Sequence, residues 1–261
     1  MKVTGLYVYP IKSLGGISLE TAIITETGFA YDRYWMLVDE NGIALTQREY
    51  PMLALFGVEL LQDNVVVQLK GKELKIEKQK EDSEPMQCTL FGNGVAAIQE
   101  KAEYSEWFSD LLQTKVYLVR KATNPKRFVK NHPDAIVNFP DSNPFLILGE
   151  SSLMNLNSKL DTPVPMNRFR PNIIFSESTP HIEDQWDSIQ ISDAIFEVTK
   201  PCARCNLTTI DQSTAAVGVE PLRTLTQYRR FDRKVLFGQY LKTINKKVGE
   251  IKVGDELHIL S

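Results

Sequence analysis

Cys202 and Cys205 form a Cys-x-x-Cys pair in Thr199-Lys200-Pro201-Cys202-Ala203-Arg204-Cys205-Asn206-Leu207-Thr208-Thr209-Ile210-Asp211. A thiolate is a nucleophile and a soft metal ligand, and Lys200 and Arg204 beside the pair favour the ionised form. Strand-like runs on either side put the pair in a loop at a strand end, where rigid flanks hold reactive groups. Several chemistries stay open at this point. A structural zinc site needs four ligands, and Cys88, His132, His181 and His258 are scattered singly. A thioredoxin-like pair should precede a helix, whereas here a strand is expected to follow. Two ordinary buried cysteines are the plainest reading.

A second set of residues is suited to anions. Tyr9-Pro10-Ile11-Lys12-Ser13-Leu14-Gly15-Gly16 puts a lysine and a serine after a strand, then two glycines that let backbone N–H groups approach an oxyanion. Asp32-Arg33-Tyr34-Trp35 places an arginine at a strand start, where a surface salt bridge is the simple alternative. Asn167-Arg168-Phe169-Arg170-Pro171-Asn172 gathers two guanidinium forks and two amides, and the forks match phosphate and carboxylate oxygens.

Strands and a few helices must position these groups. Strand patterns run over Val3–Tyr9, Thr21–Thr25 and Tyr34–Val38, and a hairpin joins Val65–Leu69 to Leu74–Ile76 through Lys70–Glu73. Further strands are expected at Ile173–Phe175, Ile189–Ile191, Ile195–Val198, Leu207–Ile210 and within Gly249–Leu260 around Gly254-Asp255. In Glu103–Gln113, Tyr104, Trp107, Phe108, Leu111 and Leu112 share one helical face, which reads as core packing. A second helix starts near Ser151, with Ser151 or Ser152 as N-cap, and a third runs from Pro221 through Tyr228. The charged stretch Glu77–Glu84 reads as a solvated loop. The fold class is therefore mainly β with α, a β-barrel with helical insertions.

Composition narrows the function. With 261 residues, 43% hydrophobic and 24% charged, the chain can form one large or two modest domains without staples. A net charge of -3 gives no case for nucleic acid, which calls for a basic face. Three cysteines do not make a disulfide framework and fit a reducing cytoplasm. Pro10 and Lys12 interrupt the N-terminus before a signal-peptide core forms, and no stretch approaches the ~20 apolar residues of a membrane span.

Taken together, these segments resemble the MOSC superfamily, named for the C-terminal domain of molybdenum cofactor sulfurases. YPIKSLGG and DRYW resemble its N-terminal β domain. NPFLILGESSL, NRFRPNI, CARCNLTTID, FGQY and IKVGDEL resemble the MOSC domain, in the family's order. The resemblance covers nearly the whole chain, with residues 1–118 as the N-terminal β domain packed on a MOSC β-barrel domain of residues 119–261. It points toward amidoxime-reducing components and bacterial proteins that detoxify N-hydroxylated bases.

The resemblance implies a molybdenum–molybdopterin cofactor held between the domains, with Cys205 as metal ligand and catalytic residue. It assigns cofactor contacts to Lys12, Ser13, Arg33, Ser142, Asn143, Arg170, Asn172 and Tyr240, with backbone near Ala203 approaching the metal. The implied reaction is two-electron reduction of small N-oxygenated compounds. The sequence shows no cysteine cluster beyond Cys205, so electrons are expected from a separate protein, ferredoxin-like, flavoprotein or cytochrome b5-like, and no N-terminal membrane anchor is expected. Two rivals remain: persulfide transfer through Cys205 or Cys202, and a carrier that binds molybdopterin without turnover.

Overall fold

Apolar β-branched and aromatic runs dominate the sequence, and the computed structural model, which describes residues 1–78, 84–244 and 249–261, builds them mostly into strands. Positions 79–83 of the charged stretch expected as a loop lie outside the described residues.

The largest sheet runs, edge to edge, through Ile17–Leu19, Lys2–Val8, Ile173–Ser176, Phe145–Gly149, Lys234–Thr243, Ala194–Arg204, Ser188–Ile191 and Leu257–Ile259. Phe145-Leu146-Ile147-Leu148-Gly149 is buried at every position, as a central strand must be. It is parallel to Ile173–Ser176 and antiparallel to Lys234–Thr243. Leu6, Phe145, Phe175 and Phe196 form its core, all at most 1% exposed.

The opening strand belongs to this sheet: Val3 pairs with Phe175 and Leu6 with Ile173. Near the other terminus, Gly249–Lys252 pairs with Thr21–Thr25. The sheets therefore do not follow the division of the sequence at residue 118. Both ends of the chain are tied into strands of the opposite half.

A separate four-stranded sheet contains Trp35–Asp39, Val116–Lys121, Asn93–Gln99 and Met86–Leu90. The helix Ala102–Leu112 lays Tyr104, Phe108 and Leu112 on a core with Trp35 and Phe56, the packing role its apolar face predicts.

Four local expectations are corrected. Leu207–Ile210 is no strand; Asn206–Thr209 is a 3-10 turn in which the Thr208 and Thr209 hydroxyls donate to the carbonyls of Cys205 and Asn206, at 3.0 and 2.8 Å. Such back-bonding competes with a β ladder. The second helix begins at Glu150 rather than after a serine cap. Its entry is held by buried Glu183, which accepts the Gly149 N–H at 3.3 Å and the Ser152 hydroxyl at 2.8 Å. The hairpin turns on Lys70-Gly71, both in the left-handed region, so its strands are longer than read, Asn64–Leu69 and Lys72–Glu77. Finally, Ile195–Val198 is part of an eleven-residue strand, Ala194–Arg204, that runs through Cys202 itself.

Among the described residues no helix is long and apolar enough to cross a membrane.

Candidate active site

The long strand Ala194–Arg204 ends one residue before Cys205. Cys202 lies within that strand, 2% exposed, and burial pushes its thiol pKa up. Cys205 follows the strand, is partly exposed, and its carbonyl accepts the Thr208 N–H at 3.2 Å. The two cysteines are therefore not equivalent members of one loop. Only Cys205 combines accessibility with a cationic neighbour, since Arg48 donates through Nε to its Sγ at 3.3 Å.

That neighbour is not the one the sequence suggested. Arg204 turns into the fold, donating from Nε to the Phe237 carbonyl at 2.8 Å and from Nη1 to the Phe169 carbonyl at 3.0 Å. Lys200 sits with its Nζ 5.7 Å from the Tyr240 ring centre. Arg48 comes from Thr46-Gln47-Arg48, a turn fixed by two contacts. The Arg48 N–H donates to Thr46 Oγ1 at 3.2 Å, and Gln47 Nε2 donates to the Ser13 carbonyl at 2.6 Å. Gln47 also exchanges amide hydrogen bonds of 3.1 and 3.0 Å with Gln212, just past the cysteine's own turn.

Cys205 opens on a cleft whose walls include Lys12, Ser13, Arg33, Arg170, Asn172 and Tyr240, drawn from both halves of the chain. Asn143 and Ala203 also line it. Ser142 does not; with Arg48 it borders an adjoining outer chamber that shares Asp141, Ala203, Cys205 and Tyr240 with the cleft.

One aromatic ring organises the cationic wall. Arg33 and Arg170 each place a guanidinium carbon 4.2 Å from the centre of the Tyr9 ring. Tyr9 is 2% exposed, donates its hydroxyl to the Pro171 carbonyl at 3.0 Å, and burial raises its pKa to about 12. Arg33 is no surface salt bridge: it pairs with buried Asp32, and donates to Asn172 Oδ1 at 3.0 Å and to the Arg170 carbonyl at 3.2 Å. Ser13, Arg33 and Arg170 all adopt left-handed backbone, with φ of 72°, 46° and 53°. Strained non-glycine residues cluster where surrounding structure over-determines a functional geometry.

Arg170 differs from Arg33 in having no carboxylate within ion-pair distance among the described residues. Burial, with Arg33 adding repulsion, brings its pKa down to about 10. Arg204 Nη2 is likewise buried without a hydrogen-bond partner.

On the opposite side, Lys12 donates to the Phe139 carbonyl at 3.1 Å and to the Asp141 carboxylate, which also accepts from Arg48 Nη2 at 3.3 Å. Desolvation by the surrounding protein raises the Asp141 pKa, but Lys12, Arg48 and Arg33 outweigh it and bring it down to about 2.

Some expected roles change in kind. Asn172 lines the cleft, yet its amide is committed to Arg33, the Leu146 N–H and the Tyr7 carbonyl, so it fixes neighbours in place. Asn143 is similarly tied to Ser142 and Thr199. Gly15 and Gly16 answer a steric demand in the fold. The Gly15 N–H donates to Phe56 O at 3.0 Å, and a Cβ at Gly16 would meet the Tyr9 ring at 2.4 Å. The glycines make room for that platform. Arg168 faces away, with Nη1 3.5 Å from Asp211.

Sequence reading missed Arg48, Asp141 and Tyr9. Asp141 stands one place before Ser142, and Tyr9 opens the YPIKS segment, so both were in view without a role. Arg48 had no local signal. Among the described residues no three His, Cys, Asp or Glu side chains gather into a metal cluster, so the zinc alternative finds no ligand set there.

The sequence is similar to known proteins over nearly its whole length. A family model described as the MOSC N-terminal beta barrel domain matches residues 1–115, and a MOSC domain model matches residues 134–258. The chain is 31% identical to mitochondrial amidoxime reducing component 2 of Bos taurus, over 98% of this chain and 82% of that protein. For the Rattus norvegicus counterpart the identity is 33%, with the same coverage. Mitochondrial amidoxime-reducing component 1 of Homo sapiens is 31% identical, covering 99% of this chain and 82% of that one.

Proposed function

Because the chain belongs to the MOSC family and is similar over nearly its full length to amidoxime-reducing components, we propose that it reduces N-hydroxylated compounds such as amidoximes and hydroxylamines. The reaction consumes two electrons and two protons, breaks the N–O bond, and releases the amine or amidine and water. The electrons come from a separate donor protein.

The observation that carries this reading is the pairing of an accessible Cys205 thiol with a buried guanidinium, Arg170, that has no carboxylate partner among the described residues. A buried cation without a counter-charge is unfavourable unless an anion arrives to meet it. An anionic, phosphorylated pterin fits that requirement, and a single soft thiolate fits molybdenum beside the pterin's own sulfurs. Bound there, the molybdenum–molybdopterin group supplies the two-electron redox chemistry that removes oxygen from nitrogen.

The chain's own residues then have distinct tasks. Cys205 is the metal ligand, and Arg48 Nε holds its sulfur in orientation. Arg33, Arg170 and Lys12 meet the cofactor's negative charge, with Ser13, Ser142, Asn143, Asn172 and backbone at Ala203 shaping its seat. Cys202 is the poorer ligand of the two, since it is 2% exposed within the strand and burial raises its thiol pKa. Asp141, ionised down to pH about 2, holds Lys12 and Arg48 in place rather than delivering a proton. Tyr240 has its pKa pushed well above the ordinary value by burial, so its hydroxyl acts at neutral pH as a hydrogen-bond donor.

The test is metal content and turnover of protein expressed in a host that makes the cofactor. Stoichiometric molybdenum, benzamidoxime reduction with an artificial donor, and loss of turnover in a folded Cys205→Ala variant are expected. Molybdenum without turnover indicates a carrier, and a cyanide-labile persulfide without metal indicates sulfur transfer; either result overturns the proposal.

A further inference from the structure

Beyond Cys205 the cleft opens into an outer chamber of about 520 Å³, whose inner wall is made of the proposed cofactor contacts Ser142, Ala203 and Tyr240 and whose remaining wall those contacts leave unexplained. Besides Tyr240, two exposed phenylalanines line it, Phe91 at 43% exposure and Phe231 at 55%. Phe91 sits on a hairpin tip and Phe231 flanks another. Leu90 pairs with Asn93, so Phe91-Gly92 is a two-residue turn with φ of 51° and 75°. Turns with both central residues left-handed favour Asn-Gly, because a bulky side chain is strained there. A phenylalanine kept in that conformation, with its residue 43% exposed, is unfavourable for folding on both counts. Phe231 stands beside the second tip, where Phe231 pairs with Lys234 around Asp232-Arg233.

The charge at this chamber is as uneven as its apolar surface. Lys200 and Lys234 line it, both exposed, and neither has an ion-pair partner among the described residues. Partial burial lowers the Lys200 pKa, and the positive charges of Lys234 and Lys130 lower it further. Of the two carboxylates at the chamber, Asp141 is already met by Lys12 and Arg48. Asp232 alone opposes the lysines. The Phe91 ring carries Lys12 and Arg48 at 4.7 and 5.0 Å from its centre, which holds it at the chamber's inner edge above the thiol's neighbour.

We propose that the outer chamber is a substrate subsite for flat aromatic compounds bearing a carboxylate or phosphate, held between Phe91 and Phe231 and drawn in by Lys200 and Lys234. The inference rests on the proposed reduction of N-hydroxyl groups only in naming what reacts; the subsite is defined by the four side chains. Aromatic rings gain by stacking on exposed phenylalanine. Unpaired lysines over a cleft raise the local concentration of anions, an effect that salt screens.

The test compares benzamidoxime, 4-carboxybenzamidoxime and acetamidoxime on the holoprotein at low ionic strength. The carboxylate should exceed its neutral parent in kcat/KM by roughly tenfold. That advantage should shrink in 0.5 M salt and disappear in Lys200→Gln/Lys234→Gln. Phe91→Ala or Phe231→Ala should raise KM for both aromatic substrates relative to acetamidoxime.

Calorimetric binding of benzoate against benzamide gives a readout without turnover. Reduction of all three amidoximes with equal kcat/KM, unaltered in the double-glutamine variant, overturns the subsite and leaves the reaction standing. Selective benzoate binding that needs the lysines, in a protein that reduces none of the three, upholds the subsite and overturns the reaction. Equal slowing of all substrates in the lysine variant, seen only with a protein electron donor, assigns the lysines to that donor and overturns the inference.

Discussion

Arg48 and Cys205 are 157 positions apart in sequence, yet Arg48 Nε donates to the cysteine Sγ at 3.3 Å. The contact joins a turn packed under Ser13 to the turn that follows the long strand, and Gln47 and Gln212 lock the same two segments one step further out. The same guanidinium reaches Asp141 through Nη2 at 3.3 Å, so one planar fork spans the sulfur and the carboxylate. Only arginine offers donors spaced for both.

Arg48→Ala should therefore lower turnover by about 10–100-fold, the range typical of groups that orient a metal ligand. Arg48→Lys should recover part of this, since an ammonium restores charge but cannot span both acceptors. Molybdenum content and steady-state kinetics check it. Wild-type turnover in the alanine variant would remove Arg48 from the mechanism.

Gly238, in the FGQY segment, has φ of 80°, and a Cβ there would meet Ile147 O at 2.8 Å and Arg204 Nη2 at 3.4 Å. Gly238→Ala should destabilise by about 2 kcal/mol or more, combining left-handed strain with a clash against the central strand. Denaturant midpoints measure this. A loss below about 0.5 kcal/mol would mean that the strand yields without strain.

Local signals account for what the sequence made legible. The stripe from Tyr104 to Leu112 announced a packed helix because burial and the helical repeat coincide there. Lys12, Arg33, Arg170 and Cys205 were found because they sit in motifs that resemble a family. Arg48 was invisible because its role exists only across the fold. The steric demand on Gly15 and Gly16 was not legible because Phe56 and Tyr9 impose it from outside their own segment. Thr208 and Thr209 read as strand formers until their hydroxyls found carbonyls three residues back.

Stability should fall on acidification through His181. Burial, then the positive charge of Arg229, lowers its pKa from 6.5 to about 4, and its Nδ1 is buried without a partner. A depressed folded-state value means that the unfolded chain takes up the proton first. The contribution is complete above pH 6.5 and is lost as pH falls toward about 4. Urea midpoints at pH 7.5, 6 and 5 should decline in the native protein and decline less in His181→Asn, chosen because asparagine tolerates the φ of 62° at this position. Equal slopes in both proteins would exclude the imidazole as the cause.

Arg170 should show opposite effects on folding and on cofactor binding. It lies against the Tyr9 ring beside a second guanidinium, desolvated, and its pKa is brought down to about 10 because Asp141 and Asp32, neither within ion-pair distance, offset the burial only in part. Replacing an unpaired buried cation by an apolar side chain of similar length removes an unfavourable charge while keeping the packing. Arg170→Met should leave the cofactor-free protein unchanged or stabilise it by about 1 kcal/mol, as expected where a site is held against its own folding preference. The same substitution should lower molybdenum retention by about tenfold or more, because the charge that met the anion is gone. Tyr9→Phe is the control: it loses the hydrogen bond to Pro171 O but keeps the ring under both guanidinium groups, so it should cost about 1 kcal/mol and retain metal. A methionine variant that is strongly destabilised yet fully loaded would mean that Arg170 serves the fold, and that the cleft's affinity for anions lies elsewhere.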